Sequence, residues 1–335
     1  MAYPTSGVSM VDSTINKWMS GYTDQLFKPN VFITMCKRAA KTQKGLPPAM
    51  RAYRELSGGE HIQDTALIRS YASTVWTNSS DPNPVTEQEV LLKVQWPWTL
   101  GRQSAMISDF DDMRNNGPEA MVDAWQARLY AAGEQLSRDL EERFCSSTGY
   151  LTGVSSEIGP NSLEGLIAEA PTADTVGGIS RATYSAWRNY YVTSCGAFAT
   201  YIAKLNTAYW TCKTRDPKKI GWDFLLAGLT TMAAIEGYIQ GKGQVQFIAK
   251  DDPDFGFGMI HYKGAPIVPS PDCNTSSLYG LNSHSWVYAV NTRYNMKVTS
   301  VEAGPDVDAK IKKIQHGCQL FPRSMREQAV MADWS

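Results

Sequence analysis

The chain has 335 residues, with 32 Lys and Arg against 33 Asp and Glu, and a formal net charge of -1. That balance excludes a strongly basic nucleic-acid surface while leaving room for local basic patches, and the length favours two domains or one elaborated one. The six cysteines are scattered without a CxxC pair, which excludes a zinc knuckle and a dense disulfide scaffold and predicts reduced, buried thiols.

The first residues, MAYPTSGVSMVDSTINKW, offer no basic segment followed by an apolar one, so no secretion signal is read there. The most apolar run, Phe224 to Ile235, is about a dozen residues and too short to span a bilayer. The expectation is a protein made and kept in a cytoplasm. Residues 1–60 read as an arm with short helical pieces, one of them after Pro29. Gly45 and Pro47-Pro48 interrupt it.

Residues 65–108 read as a long β-hairpin with NSSDPNP at its tip. On the return run Val90, Leu92, Val94, Trp96, Trp98 and Leu100 share one face. Leu91, Lys93, Gln95, Pro97 and Thr99 share the other, a period of two. Pro97 cannot donate to a ladder, which predicts an edge strand there. A hairpin of this kind is marginal alone. Its apolar face needs another surface, in this chain or another.

Residues 117–147 predict a long helix, with Gly117 and Pro118 at its start. Met121, Trp125, Leu129, Ala132, Leu136, Leu140 and Phe144 recur every three or four residues. Asp123, Arg128, Glu134, Arg138, Asp139, Glu142 and Arg143 line the opposite side. After Gly159 the pattern alternates between helix and strand. Asn161 or Ser162 caps a short helix. Phe198, Ile202, Leu205, Tyr209 and Cys212 stand in register on another. Phe224–Ala227 is a short buried strand before a helix that begins near Thr230. Lys263-Gly264 is a two-residue hairpin turn.

Chemistry-bearing motifs are sparse. No Walker A, GxGxxG or GxSxG occurs, and His61, His261, His284 and His316 lack metal-ligand spacing. Asp254 to Gly256 spells DFG without the companion motifs of a kinase. No catalytic residue, metal ligand or cofactor site is assigned, and an enzyme is not expected. One stretch stands out: DTVGGISRATYSAWRN, Asp174 to Asn189. Gly177-Gly178 permits positive φ or a close backbone approach. A phosphate loop would follow an apolar strand and open a helix. Ser180 could cap a helix over Thr183–Tyr190, but AEAPTADTV is no apolar strand, and Trp187 and Tyr190 would crowd a phosphate. The stretch reads as a loop packed by Tyr184, Trp187 and Tyr190, with Arg181 or Arg188 satisfying carbonyls or carboxylates.

TVGGISRATYSAWRN resembles the GGI-R-TY-WWRN signature of many tailed-bacteriophage major capsid proteins. The later IHYKGAPIVPSPDC and LYGLNSHSW resemble the hairpin and following strand of the same family, in the same order. The resemblance covers most of the chain and implies an α+β protein of the HK97-like fold. Residues 1–60 would be the N-terminal arm and 61–110 the extended hairpin, or E-loop. Residues 111–159 would be a peripheral domain with its spine helix, 160–290 an α/β axial domain, and 291–335 a return to the peripheral domain.

The same resemblance implies self-assembly into hexamers and pentamers of an icosahedral shell. The shell would enclose double-stranded DNA without sequence-specific binding. A separate scaffolding protein, a portal and decoration proteins would be further partners, with no membrane involved. The place would be the virion capsid, assembled in the cytoplasm of a bacterial host. Trp76, Trp96 and Trp98 would anchor the hairpin on neighbouring subunits, and Arg102 would meet a carboxylate across that contact. Gly177, Gly178, Tyr184, Trp187, Arg188 and Asn189 would form a structural motif of the axial domain.

Two departures stand out. Ala186 precedes Trp187 where the signature has a second tryptophan. Some relatives crosslink a hairpin lysine to a neighbour's asparagine, but residues 78–89 hold no lysine, so no such crosslink is expected. An encapsulin-like compartment holding cargo enzymes and a soluble enzyme with a dispersed site are the alternatives.

Overall fold

The computed structural model describes residues 33–37, 52–68, 90–114, 124–146, 148, 151–153, 159–195, 198–213, 221–241, 260–303 and 308–332. In chain order, β1 is Tyr53–Leu56, β2 His61–Leu67, β3 Leu91–Pro97 and β4 Thr99–Ser108, followed by α1 (Asp109–Arg114), α2 (Ala124–Phe144) and α3 (Leu163–Leu166). The short pair β5 (Thr175–Val176) and β6 (Ile179–Ser180) precedes β7 (Tyr190–Val192), α4 (Phe198–Cys212), β8 (Phe224–Ala227) and α5 (Leu229–Gly241). Then come β9 (Ile260–Tyr262), β10 (Ala265–Pro269), β11 (Leu278–Leu281), β12 (Trp286–Asn291), β13 (Lys297–Val298), β14 (Glu302–Ala303), β15 (Ala309–Pro322) and β16 (Ala329–Met331).

The first sheet is organised by β15, whose 14 residues pair with β4, β12, β13 and β14, while β1 adds beside β12. Along β4 the inward residues are Thr99, Ala105 and Ile107, and the outward ones include Leu100, Arg102, Ser104 and Met106. α2 covers one face. Ala132 and Leu136 of the helix pack with Ala105 and Ile314 of the sheet, and Leu140 and Phe144 continue into the main core. This is the expected apolar stripe; its first members, Met121 and Trp125, lie outside the described residues and side chains.

The second sheet runs β7-β16-β11-β8-β10-β9. Strand periodicity sends its alternate residues to two different cores. Phe224, Leu226, Tyr279 and Val330 join the core shared with the first sheet. Leu225, Ala227, Leu278, Ala329 and Met331 join a second core that α4 and α5 cover. Because β8 is buried on both sides, it reads as a continuous apolar run, as expected from the sequence. The Lys263-Gly264 turn also appears as expected, with φ of 50° and 89°, the left-handed pair of a two-residue hairpin. Ser162 caps α3 through a bond from the Gly165 amide at 3.1 Å.

Three expectations need correction. The hairpin stops at Pro97: β2 pairs with β3 from His61↔Pro97 to Leu67↔Leu91, and residues 99–108 leave for the first sheet as β4. The alternation slips by one at Trp98 because Thr99 turns inward, its hydroxyl donating to Cys318 O at 2.6 Å. A one-residue slip exchanges the two faces, so Leu100 points outward. In α4 the inner stripe is Tyr201, Leu205, Ala208 and Cys212, and Ile202 is on the outer side. The stretch after Ser180 is the expected loop, with one 3-10 turn at Ser185–Trp187. β12 belongs to the first sheet and β16 to the second, between β7 and β11, so the chain crosses between sheets at Trp286 and again after Pro322.

Candidate assembly site: the hairpin seat and its bracing motif

Gly177 and Gly178 join β5 to β6 with φ of 63° and 81°. A two-residue turn of this hand needs both residues in the left-handed region, where a Cβ is strained. Gly177 has a second requirement. A Cβ built on it would stand 2.4 Å from Val94 Cγ1 and 3.0 Å from Trp96 Cζ2. The Gly177 carbonyl also accepts from the Gln95 amide at 3.0 Å. The turn is thus the seat on which the base of the β2–β3 hairpin rests.

Trp96 lies between that turn and the end of β15, stacked on Phe321 with centroids 5.2 Å apart. Trp187 closes the seat from the other side, its indole N–H donating to Val176 O at 3.0 Å. From β1, Arg54 reaches the Asp64 carboxylate on β2 at 3.1 Å. The cleft that remains among Asp64, Val94, Trp96, Trp187 and Phe321 holds about 50 Å³, far below what a metabolite pocket needs.

The polar members of the motif hold backbone rather than ligand. The Arg181 side chain is fully buried and donates to Leu166 O, with the Asp174 carboxylate 3.9 Å away. Burial pushes its guanidinium down to about 10, against the pull of Asp174. Arg188 donates from Nε to Arg181 O at 2.7 Å and from Nη2 to Ala182 O at 3.2 Å. Asn189 Nδ2 donates to Ala168 O at 3.0 Å and to Tyr190 O at 3.1 Å. Tyr184 packs on the shared core and Tyr190 on the second one. With its arginines engaged on carbonyls, this is a bracing loop.

The residues expected to face neighbours divide. Trp96 is 2% exposed; its ring is covered by its own chain, so the role of inter-subunit anchor is corrected to that of an internal one. Trp98 is half-buried against the shared core. Arg102 is exposed on β4 opposite Gln315, and Trp76 lies outside the described residues. The sequence reading overlooked the outer face of the hairpin, where the cross-strand pair Leu67 and Leu91 is 73% and 56% exposed. Met106, Phe110 and Met113 are likewise exposed on β4 and α1. The signal was present: on strands of period two, apolar residues off the core phase must face something else.

Glu141 was also missed. It is buried on α2 and its carboxylate accepts from the Ile33 amide at 3.1 Å, tying the early helical turn at residues 33–37 to the long helix. Arg138, one turn earlier, forks onto both oxygens of Asp272. No cluster of metal-ligating side chains occurs among the described residues, and none of their helices is long and apolar enough to cross a membrane.

No protein-family model and no curated protein sequence matches the chain. Solved structures do. A capsid subunit of cyanophage A-1(L) is similar over 93% of this chain and 95% of its own, with 15% identity and a TM-score of 0.66. The capsid protein of a native GTA particle matches over 100% of both chains at 9% identity and a TM-score of 0.57. An encapsulin of Synechococcus elongatus PCC 7942, from the holo-SrpI complex, matches over 99% of this chain and 96% of its own at 11% identity and a TM-score of 0.53. The chain has the fold of these shell proteins, the HK97-like capsid fold that its motifs imply.

Proposed function

We propose that this chain is a major capsid protein, which assembles with itself into the hexamers and pentamers of an icosahedral shell around double-stranded DNA. The observation that carries the reading is the seated hairpin within a capsid fold matched over the whole chain. Its base is locked by Gly177, Val94 and Trp96, while apolar Leu67 and Leu91 stand exposed at the far end of the pairing. A monomer gains nothing from holding such a pair in water, whereas a neighbouring subunit would bury it.

In this reading the first sheet with α2 is the peripheral domain, the second sheet with α4 and α5 is the axial domain, and β2–β3 is the root of the E-loop. Residues 1–60 supply the arm, with Glu141 holding the turn at 33–37. Arg102, Trp98 and the hairpin's outer leucines are the interface residues, and many weak contacts add up in a closed shell. A separate scaffolding protein, a portal and decoration proteins complete the particle. DNA is enclosed without sequence readout, which suits a net charge of -1. The place is the virion, assembled in the cytoplasm of a bacterial host.

Electron microscopy and size-exclusion chromatography of the purified protein test this directly: closed shells are expected, and a monomer or dimer that never assembles would refute it. The second reading, an encapsulin-like compartment, is supported by the encapsulin match. Nuclease-protected DNA inside the particle favours the capsid; a packaged enzyme favours the compartment.

A further inference from the structure

Two lysines meet over one exposed indole at the rim of the second sheet. Trp210 stands near the end of α4 and is 61% exposed. Lys263, at the tip of the β9–β10 turn, places Nζ 4.7 Å from the Trp210 centroid and 4.5 Å from that of Tyr209. Lys213 Nζ lies 4.8 Å from the Trp210 ring. The arrangement is built rather than incidental. Tyr262 donates its hydroxyl to Asn206 Oδ1 at 2.8 Å, binding β9 to α4. Tyr209 meets Tyr262 and Trp222 edge to face.

Among the described residues no carboxylate forms an ion pair with Lys213 or Lys263. Burial, with Lys213 second, pushes the Lys263 ammonium below its usual range, so the two cations gain from a negative partner. A nucleobase is a poor one, because both ammoniums lie over the ring that a base would stack on. A flexible carboxylate can meet them at the edge.

The chain itself carries the complementary chemistry. Between α5 and β9 the sequence reads Asp251, Asp252, Pro253, Asp254, Phe255, Gly256, Phe257, outside the described residues. We propose that the Trp210, Lys213 and Lys263 platform receives the acidic segment Asp251–Asp254 of a second copy of this chain. Among the described strands β9 is the edge of its sheet, and Trp210 beside it is 61% exposed, so another copy can approach. In a head-to-tail ring one patch meets a different patch of the next copy, and every copy supplies both. The inference rests on the shell reading and names one of its contacts.

The test uses two charge-reversed full-length chains, K213E/K263E and D251K/D252K/D254K, beside the unaltered protein, read by sedimentation and electron microscopy. Particles from the unaltered protein report on the shell reading; if none form, both ideas fall together. Given particles, each variant alone is expected to yield at least about tenfold less assembled material, since facing like charges are costly. Both should keep their thermal unfolding midpoint. An equimolar mixture of the two is expected to regain assembly, because each platform then meets an opposite charge on its neighbour. Normal assembly of either variant alone would overturn the proposal. So would recovery only when both sets of changes share one chain, which marks a contact within a copy. Shells that form normally but hold less DNA would assign the platform to nucleic acid instead, and would overturn it too.

Discussion

Gly177 and Val94 stand so close that no Cβ fits between them: one built on the glycine would lie 2.4 Å from Val94 Cγ1. Gly178, the next residue, shares the positive φ but has nothing within 4 Å. The pair separates strain from collision. Gly178→Ala should cost about 1 kcal/mol from its backbone conformation. Gly177→Ala adds displacement of Val94 and Trp96 and should cost about 3 kcal/mol or more. Thermal unfolding checks the order; equal losses would mean that the turn does not seat the hairpin.

Trp96 and Leu67 belong to one hairpin and should behave oppositely. Trp96 is buried under Phe321, so Trp96→Ala should destabilise the isolated subunit by about 3–5 kcal/mol. Leu67 is 73% exposed, so Leu67→Asp should leave subunit stability within about 0.5 kcal/mol and reduce particle yield. Denaturant unfolding of the subunit, beside particle counts, distinguishes the two. A Trp96→Ala subunit as stable as the parent would return the tryptophan to the interface.

These contrasts show what the sequence could disclose. Lys263-Gly264, the Phe224–Ala227 strand and the stripe from Ala132 to Phe144 are local patterns, and local geometry fulfils them. Ile202 and Leu100 were misplaced because a period locates a face only while its phase holds. Thr99 breaks that phase through a bond to Cys318, 219 positions away in the chain. β16 could not be read from the sequence, because three apolar residues look alike in either sheet. Its place is set by pairing with Tyr190–Val192 and Leu278–Gly280. The seat was half legible: the two glycines announced a turn, but nothing nearby in sequence announced Val94 above it.

His316 makes folding sensitive to acid. Its Nδ1 accepts from the Met296 amide at 3.3 Å, so the proton sits on Nε2, 2.6 Å from the Tyr288 hydroxyl. Burial, with Lys37 second, pushes its pKa from 6.5 down to about 4. The unfolded chain therefore takes up a proton before the folded one does. Stability is full above pH 6.5 and declines as pH falls toward 4, by on the order of 2–3 kcal/mol. His316→Gln should flatten that decline in melting curves between pH 7 and 4; an unchanged slope would exclude His316 as its source.

Glu164 should act in the opposite sense. Burial, then the charge of Glu169, raises its pKa from 4.5 to about 7, and Oε2 has no hydrogen-bond partner. Here the folded chain holds the proton longer. The cost of ionisation starts above pH 4.5, grows until about pH 7 and then stays constant. Glu164→Gln removes it and should stabilise the protein at pH 8 by about 1–2 kcal/mol after solvent screening, with little effect at pH 4.5. Unfolding at the two pH values checks the difference, and equal effects at both would contradict it.

In the capsid reading, a crosslink of the kind some relatives make would need a lysine toward the hairpin tip. Residues 78–89 have none. Lys93 is exposed but sits within the paired stem, opposite Thr65. Next to Val94, which rests on the Gly177 seat, its ammonium is held near its own subunit, since a lysine side chain extends only about 6 Å beyond a strand whose residues advance about 3.3 Å each. Assembled shells boiled in detergent should therefore run as a single monomer band. A ladder of covalent oligomers would show that a lysine outside the hairpin tip makes the bond, and Lys93→Arg in the same gel would show whether it is this one.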